Sequence, residues 1–402
     1  MALAHLGQWL GGIPSLVQWY SYTGVFGGSL WIWVANLLGL QAWNTYQHTG
    51  RITPIQGIKG ALWLLLPMGV SAWMYLTYQE KGATVDVVVI QPNYEPHYEK
   101  FSLPESVQIQ QCIALAKPLM DEKVDYLLLP ETAYGFVEEN DVWNNAESMA
   151  LLDAFGGFPQ LQIVTGLNAY HDLLPDEPTT KATRIRTRAG REIRYEVMNL
   201  AAQLPMNREQ AVQTYRKSKL VPGPEHFPFQ RMLFFMADVV NELGGTTEGL
   251  GTQPERTAFT SRVGRVAPVV CYESVFGDYF AGYVRGKDKA QAAFIMTNDG
   301  WWDNTAGHRQ HLYYASLRAI ETRRSIARSA NTGISCFLNQ RGDILQPTRY
   351  NEPIAIRGTL HLNDDLTFYV RWGDMIARIA LLASIIFILN TFVKSIMARH
   401  ES

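Results

Sequence analysis

Three residue types that can together do acyl chemistry stand where apolar runs stop: Glu131 closes "YLLLPE", Lys217 follows "VQTYR", and Cys271 closes "APVV". A cysteine attacks a carbonyl as its thiolate and so needs a base. A glutamate serves as that base when burial raises its pKa toward neutrality. A lysine beside them holds the oxyanion of a tetrahedral intermediate, and the backbone N–H of Tyr272 offers a second donor. Taken by type alone these residues are common. Cys271 also fits a small buried hydrophobe, Glu131 a cap or ion-pair partner, and Lys217 a solvated surface residue.

Such a site requires a scaffold that brings distant strand ends together, and the middle of the chain reads as α/β. "TVDVVVIQPN" is the unbroken β-branched run of a strand covered on both faces. "SLPESVQIQQCIALAKPLM" follows with Ser102 and Glu105 in capping-box spacing and a helical period, placing Cys112 in a helix as a packing residue. Further strands are expected in "VDYLLLPETA", "LQIVTGLNA", "VMNLAAQL", "AVQTYRKSKL", "VAPVVCYES", "AAFIMTNDG" and "GISCFLNQRGDIL", with helices at about 143–155 and 308–328. The polar, turn-rich stretch 171–193 predicts a surface loop or hairpin. In an α/β sheet the carboxyl ends of strands are where such side chains converge.

The two ends of the chain are different in kind. Residues 24–42 and 60–78 carry no charge, and Trp19, Tyr20, Tyr22 and Trp43 flank the first stretch as an interfacial belt. A third apolar stretch starts near Ile376, with Arg378 and Lys394 able to snorkel. This predicts an N-terminal membrane region at 1–80 with two spans, a catalytic domain at 84–370, and a C-terminal span at 374–397. Arg51 and Lys59 between the first spans, and Lys394 with Arg399 after the third, place those segments in the cytoplasm and the middle in the periplasm. The lead "MALAHLGQWLGGIPSLVQ" has no basic n-region, and the start of the chain reads as incomplete or unusual.

A net charge of -2 gives no reason to expect nucleic acid. Three scattered cysteines make no disulfide framework, and no Cys/His spacing suggests a metal site or any other cofactor.

The flanking sequence sharpens the reading. "LLLPETA", "YRKSKLVP" and "VVCYES" are similar to the glutamate, lysine and cysteine motifs of the carbon-nitrogen hydrolase, or nitrilase, superfamily, in the same chain order and at spacings in keeping with it. That resemblance implies a four-layer αββα sandwich with Glu131, Lys217 and Cys271 as catalytic triad. With membrane segments at both ends the chain resembles the superfamily's membrane branch, the apolipoprotein N-acyltransferases, and "TNDGWWDNTAGHRQHLYYASLRAIETRRSIARSANTGIS" is similar to that branch's longest signature.

The implied reaction moves an acyl chain from a phospholipid to Cys271 as a thioester, and then to the N-terminal amine of a diacylglyceryl-cysteine lipoprotein. The partners implied are a phospholipid donor, an apolipoprotein acceptor and membrane lipid, at a bacterial inner membrane. Glu225, in "KLVPGPEHFPF", Tyr272 and Glu273 take the places of supporting residues, with Glu225 and Glu273 expected to support Lys217 or the substrate amine. The family usually has "PFGE" where this chain has "PGPE", and about eight membrane helices where this sequence shows three apolar stretches. A membrane-tethered amidase and an inactive shortened form are therefore kept as alternatives. Trp301 and Trp302 are expected to line the acyl pocket. Phe227 and Phe229 belong to an apolar segment, residues 226–240, expected to form an arm facing acyl chain and bilayer. Arg318, Arg323, Arg324 and Arg328 are expected to build salt bridges in a helix covering the sheet.

Overall fold

The computed structural model describes residues 6–95, 99–100, 102–188, 190–226, 249–286 and 288–400. In chain order, α1 (Tyr20–Thr49) and α2 (Pro54–Thr77) lead into β1 (Ala83–Gln91), α3 (Glu105–Ala116), β2 (Val124–Leu128), β3 (Tyr134–Glu138), α4 (Ala146–Ala154) and β4 (Gln162–Asp172). Next come β5 (Arg184–Arg188), β6 (Arg191–Pro205), β7 (Gln213–Arg216), β8 (Phe259–Thr260), β9 (Arg265–Val270), α5 (Gly277–Val284), β10 (Ala292–Thr297) and α6 (Ala306–Thr322). The chain closes with β11 (Ile326–Ala330), β12 (Cys336–Leu338), β13 (Ile344–Leu345), β14 (Ile354–Leu362), α7 (Phe368–Trp372) and α8 (Met375–His400).

The strands form two sheets, ordered β14-β1-β2-β4-β6-β5, with β3 beside β4 and β7 beside β6, and β13-β12-β11-β10-β9-β8. The β1 run shows why the sequence does not alternate. Val85, Val87 and Val89 face the second sheet, whereas Val88 and Ile90 face the opposite way, into the core under α3 and α4. Tyr126 and Leu128 of β2 point inward and Leu127 outward in the same manner. With α5 and α6 over the second sheet, the result is the expected four-layer αββα sandwich.

Two local expectations fail. Pro104, not Ser102, is the N-cap of α3, and the Ser102 hydroxyl donates to the Glu99 carbonyl instead. The long helix expected through residue 328 ends at Thr322, because Arg323 takes a left-handed conformation (φ 52°) and turns the chain into β11. Arg328 is therefore a strand residue.

α1, α2 and α8 are each long and apolar enough to cross a membrane. Their outward faces carry exposed Trp33, Leu37, Leu65, Trp73, Leu382 and Phe387, surface that a hydrocarbon solvent accepts and water does not. α1 and α2 form an antiparallel hairpin closed by a Thr53–Gln56 capping box. The Trp31 and Trp63 indole N–H groups each donate to the other residue's carbonyl, at 2.7 and 2.9 Å. That satisfies two donors that lipid cannot.

The hairpin is fastened to the sandwich by buried polar contacts. α1 kinks at Gly24 (φ 62°), where a Cβ would lie 2.3 Å from the Tyr369 ring. The next N–H, that of Val25, donates to Glu321 Oε1 at 3.1 Å. Arg323 donates to Gln18 Oε1 at 2.6 Å and lies over the Tyr78 ring. The arginines thus divide. Arg318 pairs with Glu321 and Arg328 with Asp299, as expected for ion pairs. Arg323 and Arg324 instead donate largely to carbonyl oxygens, those of Gln340 and Gln18 and of Ala290 and Asp365. Loop ends of the sandwich present carbonyls there, and neither guanidinium has an ion-pair partner within 4 Å among the described residues.

Candidate active site

The β6–β7 ladder runs one bond past the end of β7, with Lys217 N donating to the Asn199 carbonyl at 2.9 Å. This sets Lys217 beside Asn199 at the sheet's edge and sends its side chain inward, where it is completely buried. The ammonium lies 2.9 Å from Glu131 Oε1 and 2.8 Å from Glu225 Oε1. Asn199 Nδ2 donates to the same two oxygens, at 2.7 and 3.2 Å. Burial alone would lower the lysine's pKa, but the two carboxylates outweigh it and hold it well above its ordinary value. Lys217 is therefore a permanent cation, fit to stabilise negative charge and unfit to act as a base.

Glu131 follows β2 in a turn in which Thr132 is left-handed (φ 50°). The turn presses on β4 at Gly166, where a Cβ would approach Glu131 Cα to 2.7 Å. Lys100 holds it from the other side, its Nζ 2.6 Å from Thr132 Oγ1 and 3.2 Å from the Glu131 carbonyl. Burial pushes this second lysine down to about 8, against the pull of Glu131.

Cys271 stands directly after β9 with φ 47°, opening the short 3-10 turn Cys271–Val275. A non-glycine residue in that region is held by its surroundings. Glu273 supplies much of the hold. Its Oε1 accepts from Tyr215 O–H at 2.6 Å, Ser218 N at 2.7 Å and Tyr279 O–H at 3.0 Å, and its Oε2 from Val270 N at 2.9 Å. Glu273 is fully buried and bonds Ser218 rather than the Lys217 ammonium. Glu273 thus ties the lysine loop to the cysteine turn. Burial raises its pKa, opposed by these donors.

Behind the thiol, His311 Nε2 is 3.2 Å from the Cys271 carbonyl oxygen and Nδ1 is 2.8 Å from Asp299 Oδ1. Asp299 also accepts from Arg328 Nη2 at 2.6 Å and Thr297 Oγ1 at 3.0 Å. Burial would raise the Asp299 carboxyl, but Arg328 and His311 hold it below its ordinary range. The Cys271 thiol is pushed up by burial and by the charge of Glu131, while Lys217 and a hydrogen bond with Thr297 pull it down. The net rise leaves a neutral thiol at rest. Such a thiol needs a base before it can attack a carbonyl, and of the carboxylates that bear on it Glu131 has the larger influence.

Cys271 opens into a cleft of about 490 Å³ whose walls include Val221, Pro222, Tyr272, Val275, Trp302 and Tyr314. Of the expected pocket residues Trp302 is in the wall, whereas Trp301 stands outside it, 52% exposed. Phe227 and Phe229, with the rest of the expected arm beyond His226, lie outside the described residues. Glu131, Lys217, Glu225 and Cys271 converge as expected. Asn199, Lys100, Asp299 and His311 are site residues that the sequence does not announce; the polar Asn199 inside "VMNLAAQL" is the one clear signal.

Residues 87–359 match the family model described as carbon-nitrogen hydrolase. Over 378 residues the chain is 26% identical to the apolipoprotein N-acyltransferase of Chlorobaculum tepidum, covering 91% of this chain and 68% of that protein. It is 36% identical over 147 residues to that of Rhizobium meliloti, covering 36% and 27%, and 27% identical over 271 residues to that of Bdellovibrio bacteriovorus, covering 66% and 46%. The chain thus spans about two thirds of the first relative and under half of the other two. Among solved structures it is similar to Saccharomyces cerevisiae Nit3, a nitrilase-superfamily member, with TM-score 0.48, 13% identity and 72% and 94% coverage. The chain belongs to the carbon-nitrogen hydrolase family.

Proposed function

We propose that the protein is an apolipoprotein N-acyltransferase of the bacterial inner membrane, with Glu131, Lys217 and Cys271 as its catalytic residues. The observation that carries this reading is the coincidence of a buried Glu–Lys pair and a thiol at the floor of a largely apolar cleft, in a chain with three apolar helices. In the first step Cys271 Sγ attacks the ester carbonyl of a phospholipid while Glu131 takes the thiol proton. Lys217 and the Tyr272 N–H face the oxyanion. Collapse breaks the ester C–O bond, and the proton passes from Glu131 to the leaving alkoxide, giving a lysophospholipid and the acyl thioester.

In the second step the N-terminal amine of a diacylglyceryl-cysteine lipoprotein attacks the thioester. Glu131 takes the amine's proton, the C–S bond breaks, and the sulfur recovers a proton. Glu225 keeps Lys217 charged throughout. The basic residues Arg51 and Lys59 between the first two apolar helices support a periplasmic position for the sandwich.

The test uses membranes holding the full chain and a phospholipid with a tagged acyl chain. Expected is an acyl adduct on Cys271 that a diacylglyceryl-cysteine peptide converts into N-acyl product. Release of free fatty acid in place of amide identifies a hydrolase, and absence of any adduct identifies an inactive form.

A further inference from the structure

A second cleft, of about 220 Å³, adjoins the first, and Gln310 and Tyr314 line both. Its far wall is the N-terminal 3-10 turn Leu6–Gly12, which contributes Gln8 and Trp9; α6 contributes Arg309 and Tyr313. Gln8 is 4% exposed, and its Oε1 has no hydrogen-bond partner among the described residues. Its Nε2 donates to the Val275 carbonyl at 3.4 Å, which fixes the amide's orientation, since a flip would set oxygen against oxygen. An acceptor is left buried and unpaired in the wall of the cleft. Arg309 is exposed at the rim and has no ion-pair partner among the described residues. Trp9, 64% exposed, stands at the mouth beside the start of α1.

We propose that this cleft holds the glycerophosphate head of the acyl donor, with the phosphodiester on Arg309 and an N–H or O–H of the headgroup on Gln8 Oε1. The assignment rests on the acyl-transfer reading and adds the donor's polar subsite to it. Connectivity supports it: in a glycerophospholipid the phosphate hangs on the same three-carbon unit as the ester, so ester and phosphate must occupy adjoining sites. An acyl chain in this cleft would bury an unpaired amide oxygen. The acceptor's N-terminal ammonium would meet the guanidinium as a like charge. A phosphodiester suits both groups, and arginine binds it by paired N–H donors.

The test compares two donors on the full chain in membranes: phospholipid vesicles and p-nitrophenyl palmitate, an acyl ester without phosphate. Thioester formation at Cys271 is followed for wild type, Arg309→Ala, Arg309→Lys and Gln8→Met. The expected result is a fall of about tenfold in kcat/KM for phospholipid relative to the nitrophenyl ester in Arg309→Ala, carried by KM, and a smaller fall in Gln8→Met. Arg309→Lys recovers part of the loss. An equal fall with both donors assigns Arg309 to the fold, and no fall removes it from donor binding; either overturns the proposal. Inhibition by inorganic phosphate as strong as by a soluble glycerophosphodiester also overturns it, as a site for free phosphate. A wild type that forms no thioester from either donor instead overturns the acyl-transfer reading beneath it.

Discussion

The Lys217 ammonium meets the Glu131 carboxylate at 2.9 Å with both side chains closed to bulk water. A buried pair is costly to break from one side, because the survivor keeps its charge without its partner. The charge of Glu131 also bears on the Cys271 thiol, so in the proposed reaction one contact serves both folding and chemistry. Glu131→Gln keeps the shape and an acceptor for Lys217 but cannot take a proton. We expect thioester formation to fall by roughly 10²–10⁴-fold, with the thermal midpoint nearly kept. Retained acylation in this variant removes Glu131 as the base.

Asn199 bridges Glu131 and Glu225 from the strand beside them. Asn199→Leu removes both donations and sets apolar bulk against two carboxylates. The expected outcome is a kcat about ten- to a hundredfold lower with KM for the donor little changed, as for loss of orientation rather than of a binding contact. A change confined to KM contradicts this.

Glu273 accepts from six donors on three segments, so its replacement acts on the positions of Lys217 and Cys271 together. Glu273→Ala leaves those donors unpaired and costs about 3 kcal/mol or more. It is expected to lower the thermal midpoint and abolish activity, whereas Glu225→Ala abolishes activity with a smaller thermal loss. Equal midpoints for the two would show that the bracket does not hold the turn.

Glu321 carries the clearest pH signature. Burial pushes its carboxyl up from 4.5 to about 7, opposed by Arg318 and the Val25 N–H. Between those two values the folded protein binds the proton more tightly than the unfolded one. Stability therefore falls as pH rises through that window, by at most about 3 kcal/mol. Half-inactivation temperature should be higher at pH 5 than at pH 8, and Glu321→Gln should flatten that difference. A slope unchanged in the variant assigns the effect to another group.

Burial pushes all three thiols up, so access rather than thiolate fraction separates them: Cys271 lines a cleft, whereas Cys112 and Cys336 are packed into the cores. Brief alkylation of the native protein should label Cys271 alone. A Cys112→Ala, Cys336→Ala double variant should retain acyl transfer, and its loss would give one of these buried packing thiols a part in the reaction.

Two of the three proposed catalytic positions were legible from the strand pattern: Glu131 and Cys271 stand where apolar runs stop, which is visible in one dimension. Lys217 follows the mixed strand "QTYR" and was legible through its motif. Asn199 interrupts an apolar run too, but nothing in the sequence says that its neighbour across the sheet is Lys217. His311 and Asp299 sit in a helix and a loop where polar residues are unremarkable, and only the fold sets them behind the thiol. The break at Arg323 was illegible for another reason: arginine is a good helix former, and its left-handed turn is imposed by tertiary bonds to Gln18 and Gln340. The bond from Glu273 to Ser218 was illegible because it depends on two loops closing together.

The guanidinium of Arg323 and the carboxylate of Glu321 take their bonds from Gln18 and Val25, outside the family-matched segment. Excising the hydrolase portion as a water-soluble piece would strip a buried cation and a buried acid each of one partner at one stroke. The membrane hairpin is in that sense a missing wall of the enzyme's interior, so a crystallographer trimming it away should anticipate aggregates rather than a catalytic fragment.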